Sequence, residues 1–402
     1  MTHRLIGQSA LQAFRADFPS GSAQPTREDE AAVLAATLLR HSLAAEDDAT
    51  ASRVREEAIS IARESLGEEM LTVGCTYDDF PAQSHTGVVR LLAQRTDHAG
   101  RLHVAGHMLE SAASIETDPI EAGRILSDRG RISRKLGRLD LSFEQYQQLL
   151  RDARRLKSPE LAARAHYGLA AVAQTRGNLA ECRAQDLRLI RIARAARLNN
   201  LLAGGYSGLA TMDSMSGRYG DAVAHFWKAY QLVEGHGQIG RTVLANLAQT
   251  LLVSGRPREA KKVATIVLQE NPPLLTAMPA LGTLAIASAQ LHEADTVRWA
   301  HTQLRSIEES RTDPYNLAQA LIECAAALET LGERVDSTAM RQRAEALAGH
   351  YGFHGLTFQE AMRSVQILAE PQRFHAAAAK ATAAIVELDA PALPRLLATL
   401  PA

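Results

Sequence analysis

The chain has 402 residues, of which 46% are apolar and only 4% aromatic, and its net charge is −1 at neutral pH. That is enough apolar material for a large core, and a balance this close to zero excludes a general polyanion binder. The three cysteines, Cys75, Cys182 and Cys324, are odd in number and far apart, which excludes a disulfide framework and fits a reducing cytoplasm.

The first eight residues, Met1 to Gln8, contain no apolar block of the secretory kind, and no run of 18 uncharged apolar residues follows. The expectation is a cytoplasmic chain without a membrane span. Residues 1–18 predict a short helix, and Pro19 to Thr26 a linker. Thr26, followed by Glu28, Asp29 and Glu30, opens a helix with acid in its first turn that runs to Ala44, and a second covers 49–66. Gly67, Gly74, Pro81 and Gly87 break any helix over 67–86, so that stretch reads as an irregular loop. Residues 1–86 together form an expected N-terminal helical module.

From residue 87 the chain acquires a period. Leu136-Gly137-Arg138, Arg176-Gly177-Asn178, Ser216-Gly217-Arg218, Ser254-Gly255-Arg256 and Leu331-Gly332-Glu333 place glycines 40, 40, 38 and 77 residues apart. Each glycine is flanked by apolar patterns of helical spacing, the mark of a helical-repeat solenoid. Pro119 and Pro159 are 40 residues apart, and Asn271-Pro272-Pro273 and Asp313-Pro314 repeat the signal. Proline stops one helix and suits the first turn of the next. Glycine therefore marks the turn inside each helix pair, and proline or Asn199-Asn200 the turn between pairs. A turn at Gln290 accounts for the double gap. The array is expected over 87–347 with about seven pairs, followed by capping helices over 348–402, chiefly at 357–369 and 374–388.

The clearest copy of the pattern is Leu209, Ala210, Asp213, Gly217, Ala222, Phe226 and Ala229. The next is Leu247, Ala248, Leu251, Gly255, Ala260, Ala264 and Val267, and an earlier one is Leu169, Ala170, Ala173, Gly177, Cys182, Asp186 and Leu189. Weaker copies turn at Gly100, Gly137, Gln290 and Gly332. This arrangement resembles the tetratricopeptide (TPR) repeat, with Asp213 and Asp186 off its apolar pattern. Small residues let the two helices of a pair touch, and a bulky one fills the gap to the next pair. The resemblance implies an all-α fold, a right-handed TPR-like superhelical solenoid of antiparallel helix pairs. A period near 40 exceeds the family's usual ~34, so longer helices are expected. The layout of a helical module, a loop and long repeats also resembles peptide-sensing regulators of the Rap type.

TPR arrays bind peptides on the face lined by the first helix of each pair. The phase set by the glycines puts Arg90, Arg124, Arg131, Arg134, Arg164, Tyr167, Gln174, Ser207, Thr211, Asn246, Gln249 and Glu323 on that face, with Gly168, Gly204 and Gly208 among them. Arginine suits carboxylate recognition, and an amide clasps a peptide backbone through donor and acceptor together. The expected groove grades from basic to acidic, with glycines leaving either room for a ligand or close helix packing. The carboxylate clamp of chaperone-binding TPRs is not reproduced, because Asn246 matches it but Ala277 and Leu281 do not.

Other chemistry is thin. His103 and His107 are one turn apart, with His98 nearby, but the stretch lacks the glutamate of a metalloprotease helix. Cys75 and His85 share the irregular loop without a catalytic signature. Trp227 and Trp299 read as core between repeats. Nucleotide-binding and hydrolase motifs are missing, so neither an enzyme, a metal nor a cofactor is expected. The leading expectation is a non-catalytic adaptor that binds a peptide or protein segment, acidic or C-terminal in character, without direct contact to nucleic acid or membrane. The alternatives are a ligand-responsive cytoplasmic regulator that switches a partner protein, and a self-assembling scaffold or homo-oligomer.

Overall fold

The computed structural model describes residues 102–114, 116–233, 237–269, 272, 274–307 and 313–351, with single positions between 12 and 97. Apart from those positions, the expected N-terminal module lies outside the described residues. So do its loop with Cys75 and His85, as well as His98, Gly100 and the helices expected at 357–369 and 374–388.

The described residues contain helices and no strand. In chain order the helices are α1 (Leu102–Ala113), α2 (Pro119–Lys135), α3 (Leu139–Arg155), α4 (Pro159–Thr175), α5 (Leu179–Ala195), α6 (Asn199–Met215), α7 (Tyr219–Leu232), α8 (Gly237–Val253), α9 (Pro257–Gln269), α10 (Leu274–Gln290), α11 (Ala294–Arg305), α12 (Pro314–Thr330) and α13 (Arg334–Tyr351). Many span 17 residues, as the long period predicted. The chain divides into two compact units, one holding α1, α2 and α3 up to Gln145, the other everything described from Tyr146 onward.

The predicted turn chemistry sets the helix ends. Pro119, Pro159 and Pro314 each occupy a first turn behind a capping side chain, Asp118, Ser158 and Asp313. The Asp313 carboxylate accepts from the backbone N–H of Tyr315 and Asn316 at 3.1 and 3.3 Å, which satisfies donors a helix start leaves open. All five repeat glycines have positive φ, between 74° and 79°. Around Gly217, the N–H of Arg218 reaches the carbonyl of Asp213 at 2.8 Å and that of Gly217 the carbonyl of Ser214 at 2.9 Å, closing a Schellman turn.

The cryptic turn lies two residues from its expected place. Gln290 is the last residue of α10, and His292, with φ 61°, occupies the site that glycine fills elsewhere. Histidine tolerates this conformation at some cost, so no glycine flags the turn. Lys157 and Arg197 make the same turn between pairs, at φ 51° and 56°.

From α4 onward each helix packs on the next, and α4, α6, α8, α10 and α12 also pack one on another in sequence. These first helices form an inner layer and the second helices an outer one, the packing of a repeat solenoid. Every residue of the three clear repeat copies apart from their turn glycines is buried, including Phe226 and Ala222 at 0% exposure. The off-pattern Asp186 and Asp213 are as buried as the leucines around them, at 1%. Trp227 packs partly buried against the core of α6 to α10. Trp299 does not do so: it is 46% exposed on α11, where the small residues of α10 and α12 pack without needing its ring.

A polar strip on the inner helices of the second unit

One repeat of chain separates Ser207 on α6 from Asn246 on α8, so both fall at the same height of the inner layer. The Asn246 amide donates to the Ser207 hydroxyl at 3.4 Å. One turn on, Thr250 donates to the Ser214 hydroxyl at 3.1 Å, a second polar link between the same helices. Thr211 turns back on its own helix, its hydroxyl donating to the Ser207 carbonyl at 3.0 Å.

Gln249 reaches further. Its amide donates to the carboxylate of Glu323 on α12 at 3.2 Å, across two repeats, and Gln319 donates to the same oxygen at 3.1 Å. The reach is possible because α10, lying between, carries Gly282 at the crossing. A Cβ there would fall on the Glu323 carboxylate and 3.2 Å from the Ala320 backbone. Glu323 is only 2% exposed and Gln319 6%, whereas Asn246 and Gln249 are half-buried. At 3.4 and 3.2 Å these two bonds lie beyond and at the long end of the usual N–H···O range, so the two amides are loosely engaged.

Toward α4 the strip changes character. Arg164 pairs with Glu160 on its own helix at 2.9 Å, and Gln174 is half-buried near the helix end. Tyr167 is 47% exposed, with its ring against Gly204, where an added Cβ would lie 3.1 Å away. Of the two roles open to the glycines, room for a ligand or close packing, neighbours take the space. The Tyr146 ring lies on Gly168, Ile190 and Leu189 lie on Gly205, and the Asp186 carboxylate lies on Gly208 at 2.7 Å from an ideal Cβ. Close packing is their role.

Two buried acids flank this region. Asp213 is held by Arg183 at 2.6 Å, Arg218 at 2.5 Å and His225 at 2.9 Å. Burial opposes its charge, but the guanidinium hydrogen bonds outweigh burial and keep its pKa below the usual carboxylate value. Asp186 has no such shell. Its hydrogen-bond donor is the Cys182 thiol at 3.8 Å, and burial pushes its pKa up to about 7. Burial and the neighbouring Asp186 also push the Cys182 thiol up, so it is an inert core group. The sequence pattern marked both aspartates as irregular but carried no signal for their partners, since Arg183 lies 30 residues before Asp213.

The first unit holds the other predicted arginines. Arg90 pairs with Glu121 at 2.5 Å and Asp128 at 3.4 Å, Arg124 with Glu121 at 3.1 Å, and Arg131 with Asp97 at 3.0 Å and Asp128 at 3.3 Å. Buried Lys135 joins Asp97 at 2.6 Å, and Arg134 is half-buried beside this network. Three acids thus neutralise most of what read as a basic stretch. His103 and His107 lie on α1, His107 being 3.9 Å from Glu110. Among the described residues no group of His, Cys, Asp and Glu is placed to hold a metal ion, and no helix is long and apolar enough to cross a membrane.

Comparison with protein-family profiles and with curated proteins gives no match. Solved structures do match. A Rap protein complexed with competence and sporulation factor superimposes with a TM-score of 0.56 at 12% identity, over 87% of this chain and 98% of that one. The Rap conjugation gene regulator of plasmid pLS20, in complex with the Phr* peptide, gives 0.54 at 13% identity, over 79% and 96%. Identities this low establish architecture alone, and the architecture is an all-α, TPR-like repeat fold with the layout of the Rap regulators.

Proposed function

We propose that the chain is a non-catalytic, peptide-responsive regulator. It would take an extended peptide along the inner face of its second unit and switch a partner protein in response. The carrying observation is the pair Asn246 and Gln249, two half-buried amides one turn apart on α8 whose present hydrogen bonds are long. Each amide has a donor and an acceptor to exchange with a peptide backbone. Ser207, Thr211, Tyr167 and Gln174 extend the strip along α6 and α4, and Arg164 at its end offers a guanidinium to a peptide carboxylate. Fold similarity to two proteins whose structures are complexes with competence and sporulation factor and with the Phr* peptide supports this reading by analogy.

The regulator reading goes beyond a passive adaptor because of the Gln249–Glu323 bond. It ties α8 to α12 across two repeats, so a ligand that takes over the Gln249 amide releases the tie and alters the spacing of the inner helices. A cytoplasmic site of action and a division into an N-terminal module, a repeat array over 87–347 and capping helices belong to the same proposal.

The test is affinity selection of short peptides from a random library on the full chain, followed by titration of the selected peptide. Asn246→Ala and Gln249→Ala should each weaken binding about tenfold, the equivalent of one or two lost hydrogen bonds. Selected peptides that bind both variants as tightly as the parent chain would refute the proposed site.

A further inference from the structure

Residues 146–200 carry ten arginines and one lysine against four acids. A surplus of seven positive charges therefore sits in one short stretch of a chain whose total is −1. The fold sorts these cations by helix. Arg151, Arg154 and Arg155 are exposed on the last turns of α3, and Arg188, Arg191 and Arg194 are exposed on α5. α5 is the second helix of its pair and so belongs to the outer layer, and α3 from Tyr146 onward belongs to the same compact unit.

α3 and α5 both pack on α4 at neighbouring positions, the Tyr146 ring on Gly168 and Gln185 on His166. His166, buried on α4 and 2.5 Å from the Gln185 amide oxygen of α5, has its pKa lowered by burial first and then by the charges of Arg188 and Arg154. Both guanidiniums thus lie within electrostatic reach of one imidazole. Compensation is slight: Asp152 pairs with Arg155 at 3.0 Å and Glu181 stands 3.8 Å from Arg188. Arg151 is spent on the neutral Gln148 and Arg194 on the Tyr206 hydroxyl. Among the described residues, Arg154, Arg191 and Arg197 make no ion pair. Cations in a last turn complement the helix dipole, which accounts for Arg154, Arg155 and Arg194. It does not account for Arg151, Arg188 and Arg191, which lie further back.

Leu187 decides what such a face suits. It is 45% exposed on α5, one turn from Arg183 and one turn from Arg191 on the same side. A phosphate backbone has no use for an exposed leucine. α5 has no aromatic residue on which bases would stack, and the one on this part of α3, Tyr146, is buried. An amphipathic acidic helix uses both features, because its carboxylates meet guanidinium forks and its apolar edge meets the leucine.

We propose that the exposed face of α3 and α5 is a docking surface for an acidic amphipathic protein segment, whose carboxylates meet Arg154, Arg188 and Arg191 and whose apolar side chain covers Leu187. This surface is distinct from the inner strip, and its test does not depend on peptide binding there.

The experiment is fluorescence anisotropy of the full chain with three labelled probes: an amphipathic Glu/Leu helical peptide, poly-glutamate and a random-sequence DNA duplex. The Glu/Leu peptide should bind tightest and weaken as salt is raised. Combined Arg154→Glu, Arg188→Glu and Arg191→Glu should reduce its affinity at least about tenfold. Leu187→Ser should weaken the Glu/Leu peptide severalfold and leave poly-glutamate unchanged. All four side chains are exposed, and unchanged circular dichroism would verify folding. Tighter binding of DNA than of either peptide overturns the proposal in favour of a phosphate-binding face. Absence of salt-sensitive binding, a charge-reversed variant that binds like the parent, or equal affinity for poly-glutamate and the Glu/Leu peptide overturns it as well.

Discussion

Replacing Asp186 with asparagine should stabilise the protein, and more so as pH rises. The Asp186 carboxyl is 1% exposed, packed on Gly208, with a thiol as its hydrogen-bond donor. Its pKa rises from the ordinary 3.8 to about 7, chiefly through burial. Between those values the folded chain holds a proton that the unfolded chain has released. Stability therefore falls as pH rises across that window and levels off above it. The full rise corresponds to ~4 kcal/mol against the ionised form. An amide in place of the carboxyl would keep the shape and remove the titration, and every other titrating group is common to both proteins. In urea unfolding the advantage of Asp186→Asn over the parent should widen by ~2–3 kcal/mol between about pH 5 and about pH 8. A constant difference across that range, or a variant that is less stable at the higher pH, would refute the reasoning.

Two further perturbations test the packing. Phe226→Ala empties the largest fully buried side chain of the core around α6 to α10, and calorimetry should register a loss of ~3–5 kcal/mol; a loss under about 1 kcal/mol would mean the site collapses freely. Gly282→Ala puts a methyl on the Glu323 carboxylate, so it should cost ~1–3 kcal/mol and break the Gln249–Glu323 bond. Unchanged stability in urea would show that Glu323 does not cross α10 as described.

The repeat architecture was legible because each turn has a chemistry of its own. A residue with positive φ closes each of the six helix pairs from α2 to α13; five of the six are glycine, and the apolar pattern on either side is buried as written. Where another residue takes that conformation, as at His292, Lys157 and Arg197, no letter marks the turn, and the expected site at Gln290 missed by two residues. The inner strip was legible in its composition, since Asn246, Gln249, Ser207 and Glu323 follow from the phase of the glycines. Its connections were not, because the Gln249–Glu323 bond depends on how closely α8 and α12 approach around Gly282. The arginines of the first unit illustrate the same limit. Helical phase groups Arg90, Arg124 and Arg131 correctly, but only three dimensions bring Asp97 and Asp128 between them. Trp299 misled because a large aromatic usually signals core, and the alanine-rich helices beside it close their packing without it.

Hydrogen exchange of the full chain with and without a selected peptide tests the central claim most directly. The account predicts slower exchange in α6, α8 and α12, where Ser207, Asn246, Gln249 and Glu323 lie. Protection confined to α3 and α5, or no change on the inner helices at saturating peptide, would contradict it.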